Sequence, residues 1–81
     1  EIAGLRFEGL ILVAIIDGIE RRFSVSDISP VLVTATEVER KAFEIPPSGY
    51  GIHWPLLDED LSVDALLGIS HHRKERHIEY A

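Results

Sequence analysis

The stretch Gly9–Val25, GLILVAIIDGIERRFSV, decides the fold of this chain. Asp17-Gly18 stands between two strand-like runs. That dipeptide is the strongest short hairpin signal, because a type I′ turn needs φ > 0 at both central residues. The expected strands are Leu5–Ile16 and Ile19–Val25. A two-residue loop fixes their register. One face then pairs Ile16 with Ile19, Ala14 with Arg21, Leu12 with Phe23 and Leu10 with Val25. The other pairs Ile15 with Glu20, Val13 with Arg22 and Ile11 with Ser24. The first strand is apolar on both sides, the mark of a strand that is central or covered on its second face. Leu5 and Phe7 are out of phase with Leu10 and Leu12. A bulge at Gly9 is expected to bring all four to one side.

Helical signals follow. Ser29-Pro30 suits an N-cap with proline at the first helical position, and Val31, Leu32 and Ala35 form a short apolar stripe. Thr36-Glu37-Val38-Glu39 is a capping box. The helix it opens is expected to reach about Ala42, with Val38, Ala42 and Phe43 facing the core. Phe43–Ile45 reads as a short strand, Pro46–Gly49 as a breaker and Tyr50–Trp54 as the returning strand, stopped by Pro55. Leu57–Leu61 reads as an acidic loop. Ser62 then caps a helix over Val63–Leu67, with Asp64 in its first turn and Gly68 at its end. The expected fold class is α+β: a small antiparallel sheet of two hairpins, with two or three short helices packed on one face.

Length limits the core. With 81 residues there is room for one domain, and such a domain buries roughly 60–65% of its unfolded surface. Domains this small often add disulfides, a metal or a second subunit. Cysteine is absent, so disulfides are excluded and self-association or partner binding is expected. That composition also suits a cytoplasmic location. No apolar run is long enough to cross a membrane as a helix. The run Gly9–Ile16 has strand length and no basic leader before it, so it does not read as a signal peptide. The sequence starts at Glu1 rather than Met, which leaves room for residues before it.

Eight basic and fourteen acidic residues give a net charge of −6. An acidic body repels phosphate backbones, so nucleic-acid binding is not expected of it. The expected division is a domain over residues 1–68 and a polar tail over 69–81. The tail holds Arg73, Lys74 and Arg76 with His71, His72 and His77, against Glu75 and Glu79.

The segment Gly49–Leu67, GYGIHWPLLDEDLSVDALL, resembles the signature of the domain-of-unknown-function family 2442, small bacterial proteins. Its members commonly carry G-x-G-I-H-W-P-x-L-D-E-D-L-S-V, and every fixed position is present. Upstream, Pro30, Leu32, Ala35, Thr36, Glu39, Arg40, Glu44 and Ile45 look like the family's P-x-L-x-x-A-T-x-x-E-R-x-x-x-E-I stretch. The likeness runs over roughly Phe7–Leu67. Pro46 and Pro47 stand where relatives often have glycines, and the aromatic residue common near Ser29 is missing. The resemblance implies an α+β fold and a genomic habit: such genes often lie beside one for another small protein, a pair proposed as a toxin–antitoxin-like cassette. It carries over no catalytic residue.

Several residues are candidates for function. His53 can act as a general base or metal ligand near Asp58, Glu59 and Asp60. A structural role competes with this, because Trp54 belongs in the core and His53 alternates with it. The acidic triplet lacks the glycine-centred spacing of a calcium loop. It suits either a helix entry or a surface that docks a basic partner. His71, His72 and His77 offer no i, i+4 pair for zinc. Three tail cations supply little affinity for nucleic acid. Ile11, Val13 and Ile15 form an apolar outer face, covered by the same chain or by a partner. The leading expectation is a non-enzymatic protein-binding module without metal or cofactor, an antitoxin-like partner of a small protein encoded nearby that also forms a homo-oligomer. Its candidate partner-binding residues are Ile11, Val13, Ile15, His53, Asp58, Glu59 and Asp60. One alternative is a metal-dependent or acid/base enzyme site at His53 with Asp58 or Asp60. Another is a nucleic-acid-binding regulator acting through the tail.

Overall fold

The computed structural model describes residues 1–68. The expected tail over 69–81, with its three histidines and three cations, lies outside the described residues. The fold is α+β. Three strands, β1 (Ile2–Glu8), β2 (Ile11–Ile16) and β3 (Ile19–Ser24), form one antiparallel sheet in that order. The short helices α1 (Val25–Ile28), α2 (Pro30–Thr34) and α3 (Glu37–Lys41) follow. Strands β4 (Gly51–Trp54) and β5 (Glu59–Ser62) form a second, two-stranded antiparallel sheet. A last helix, α4, covers residues 63–68.

The Asp17-Gly18 turn is as expected, with φ of 52° and 82°. It sets the β2–β3 register over six pairs, from Ile16–Ile19 to Ile11–Ser24. The first expected strand is two strands, which corrects the reading of Gly9. Glu8 pairs with Ile11, so Gly9-Leu10 is itself a two-residue hairpin loop. Gly9 has φ of 59° while Leu10 stays out of the left-handed region, the pattern of a type II′ turn. This turn resolves the phase conflict without a bulge there: Phe7 pairs with Leu12 and Leu5 with Ala14. The register shift lies instead between Ile2 and Gly4. Leu10 is consequently exposed at a turn.

One face of the larger sheet carries the core. Leu12, Ala14, Ile16 and Phe23 pack with Val25, Ile28 and Leu32 from the helices. Ile52, Trp54, Val63 and Leu66 complete the cluster from the second half of the chain. Each fully buried aliphatic side chain contributes about 1.5–3 kcal/mol. Helices α1, α2 and α4 therefore pack against this core, as the apolar pattern requires.

Caps place the helices. Ser29 precedes Pro30 and accepts the Leu32 N–H at 3.3 Å. The Thr36 capping box is complete: Glu39 N–H donates to Thr36 Oγ1 at 3.1 Å, and Thr36 N–H to Glu39 Oε1 at 2.8 Å. Arg40 Nη1 donates to the carbonyls of Leu32 (3.3 Å) and Ala35 (2.7 Å), satisfying the end of α2. Ser62 Oγ accepts the Ala65 N–H at 3.0 Å and caps α4. Val38 departs from expectation at 73% exposure. Helix α3 is a single turn held by its cap and by Arg40, so it needs no apolar stripe. Phe43–Ile45 is not a full strand; Glu44 alone makes a bridge, to His53.

Candidate functional site

The outer face of the larger sheet carries Ile11, Val13 and Ile15. The register sets Arg6 and Arg22 on either side of Val13, Glu8 beside Ile11 and Glu20 beside Ile15. The four charged side chains link across β2. Arg22 Nη1 lies 2.8 Å from Glu8 Oε1, and Arg6 Nη2 2.9 Å from Glu8 Oε2. Glu20 lies 3.6 Å from Arg22 and 3.7 Å from Arg6. Val13 beneath them is only 1% exposed, yet it stands outside the core cluster. Long arginine stems cover apolar surface while their heads stay in water. That accounts for a buried valine on a face that no core residue shares. Ile11 and Ile15 remain half-buried. The Arg22 and Arg6 guanidiniums beside Glu8 hold its carboxyl below the usual range, and Glu8 in turn raises Arg22.

His53 lies in the middle of a row on the second sheet. Glu44 and His53 exchange two backbone hydrogen bonds, at 2.7 and 2.8 Å. On its other side His53 pairs with Asp60. The imidazole Nδ1 lies 2.7 Å from Asp60 Oδ1. An ionised carboxylate only accepts, so Nδ1 carries the proton of this bond. A shallow groove of about 210 Å³ runs beside the pair, lined by Pro46, Gly51, His53, Asp60, Leu61 and Ser62.

The acidic triplet does not form one site, and it is not the loop before a helix. Asp58 ends the β4–β5 turn with φ of 50°, a conformation that Asp tolerates better than most residues. Glu59 and Asp60 belong to β5 and point to opposite faces. Asp60 meets His53. Glu59 pairs with Trp54, and its carboxylate accepts from the buried Ser29 hydroxyl. That Ser29–Glu59 contact was invisible in sequence, since 30 residues separate the two. Among the described residues, no group of three or more His, Asp or Glu side chains is arranged to hold a metal ion. Nor is any helix there long and apolar enough to cross a membrane.

The segment 49–63 is thus a chain of structural parts. Gly49 accepts the Ile2 N–H at 2.8 Å and ties β1 to the second sheet. Ile52 and Trp54 are core. Pro55 opens a turn closed by the Leu57 N–H on the Trp54 carbonyl at 3.1 Å. Ser62 caps α4, and Val63 is buried. These features define a small α+β domain of two antiparallel sheets whose most distinctive segment builds the fold. The chain belongs to a family described as protein of unknown function (DUF2442), whose model matches residues 3–72. The matched region thus begins and ends beyond the Phe7–Leu67 likeness seen in the residues. No match was found among curated proteins or among solved structures.

Proposed function

We propose that this domain is a non-enzymatic protein-binding module, an antitoxin-like partner of a small protein encoded nearby. One observation carries the reading: the core cluster uses a single face of the larger sheet, leaving charged side chains on the other. That surface presents the Arg6, Glu8, Glu20 and Arg22 network with half-buried Ile11 and Ile15 at its sides. Such a surface offers directional charge contacts for specificity and apolar area for affinity. The acidic body suits a basic partner, and the Asp60 and Asp58 edge of the second hairpin supplies further rim charge. Self-association through the same face and a cytoplasmic setting belong to this reading. Co-expression with the product of the adjacent gene, followed by pull-down and size-exclusion chromatography, tests it. A stable complex is expected. A monomer that ignores the neighbour would sink the reading.

A second reading rests on the His53–Asp60 pair, an oriented imidazole beside a groove. It makes His53 a general base. Replacing His53 by Ala would then abolish an activity found by substrate screening while leaving the complex with the neighbour intact. The protein-binding reading predicts no such activity.

A further inference from the structure

The core-side row of β3 runs Ile19, Arg21, Phe23, so an arginine interrupts an apolar series. Arg21 lies opposite Ala14, which is fully buried. Its Nε is buried and has no hydrogen-bond partner among the described residues. A desolvated donor left unpaired is costly, more so when it belongs to a charged group. Strand β3 is an edge, paired only with β2 among the described residues. Ile19, next on the same row, is 55% exposed.

We propose that the free edge of β3 accepts an extended segment of a partner protein as an added strand, with a carboxylate side chain of that segment set against Arg21. The inference rests on the protein-binding reading and extends the partner's contact from the outer face to the adjoining β3 edge of the same sheet. Edge backbone groups supply the hydrogen bonds, and alternate side chains supply the selectivity. Charge decides the occupant. A two-fold antiparallel pairing of β3 with itself, centred on Glu20, Arg21 or Arg22, sets that residue against its own copy. Like charges directly opposite destabilise a sheet, and in these three registers Arg21 faces Ile19, its own copy or Phe23, never a carboxylate, so a second copy is the poorer occupant. Arg22 and Glu20 on the outer row already have partners in the charge network. Arg21 does not. An acidic side chain flanked at alternate positions by apolar ones fits the row Ile19–Arg21–Phe23.

The test uses the full chain, isotope-labelled, and the capped peptide Thr-Val-Thr-Glu-Thr-Val-Thr. Its valines and glutamate fall on one strand face. Amide shifts concentrated at residues 19–24 are expected, with at least tenfold weaker binding when the central Glu is Lys or when the protein carries Arg21→Met. The Arg21→Met protein, which keeps the aliphatic stem and drops the unpaired donor, is expected to melt higher than the parent. Absent binding, equal binding of the Glu and Lys peptides, shifts centred elsewhere or a lower melting temperature of Arg21→Met would each overturn the assignment. A neighbour-encoded protein that copurifies but leaves the β3 amides unmoved also overturns it, while the broader protein-binding reading stands. If β3 responds to the peptide and no neighbour copurifies, the edge site holds and the choice of partner fails.

Discussion

The Trp54 indole N–H donates to the Arg40 carbonyl at 3.0 Å, joining the second sheet to the last turn of α3. Arg40 meanwhile uses its guanidinium to close the end of α2. One residue therefore anchors two helices and the tryptophan. Trp54→Phe keeps an aromatic ring but leaves the Arg40 carbonyl without its donor and opens a void. A loss of about 1–3 kcal/mol is expected, and Trp54→Ala raises it to about 3–5 kcal/mol. In a domain of this size each kcal/mol moves the melting temperature by roughly 4–8 °C, so thermal denaturation followed by circular dichroism resolves the two variants.

Ser29 and Glu59 form a second long-range link. The hydroxyl accepts from Leu32 N–H and donates to the carboxylate, so each partner is needed by the other. Ser29→Ala should cost about 1–2 kcal/mol through loss of the cap. The double variant with Glu59→Ala should cost clearly less than the two single changes added together, since both remove the same contact. Coupling of about 0.5 kcal/mol or more in a double-mutant cycle is the expected outcome. Simple additivity would show that the link contributes nothing.

Val13 reports on the charged cover above it. Val13→Ala removes two buried methyl groups, a loss of about 1–2 kcal/mol. Arg22→Ala also exposes Val13, because it removes a stem as well as a charge. Arg22→Gln keeps part of the stem and should lie between Arg22→Ala and the parent. Urea denaturation at low and high salt separates the two contributions. The packing part persists in salt, whereas the ion-pair part is screened.

Acid should loosen the same network and the separate Glu37–Lys41 pair. Glu8 and Glu37 have folded pKa values held below the ordinary range, by Arg22 and then Arg6 in one case and by Lys41 in the other. A carboxylate depressed in the folded state adds stability that is present above the unfolded pKa, about 4.3. That stability is lost as pH falls through the lower folded value. The melting temperature should therefore decline as pH drops from about 5 toward 3, and Glu8→Gln should flatten that limb. Both groups are exposed, so the change is modest.

Legibility in the sequence follows the range of the interaction. Asp17-Gly18, the Thr36–Glu39 box and the Ser62 cap act within a few residues, and all three were readable from residue type and spacing. So was the burial of Trp54, whose size leaves it little choice. Gly9-Leu10 was harder, because a leucine in the second turn position continues an apolar run and hides the break. Val38 misled for a related reason: an apolar residue in a one-turn helix obeys no stripe. The acidic triplet reads as one charged unit. Strand alternation divides it, sending Asp60 to His53 and Glu59 to Ser29, and that division depends on which strand pairs with which. The charge network over Val13 becomes readable only once the turn at Gly9 has set Arg6 and Glu8 on the outer face.

Two loops of two residues each give the first sheet almost wholly local pairing, so its closure costs little chain entropy. Chains with such short-range contacts fold fast. Joining Ser29 to Glu59, by contrast, draws together positions 30 residues apart. The three-stranded meander is thus placed to form early and serve as the template on which the second hairpin docks. The return of Trp54 and Glu59 to it closes the longer loop and carries the larger cost in chain entropy.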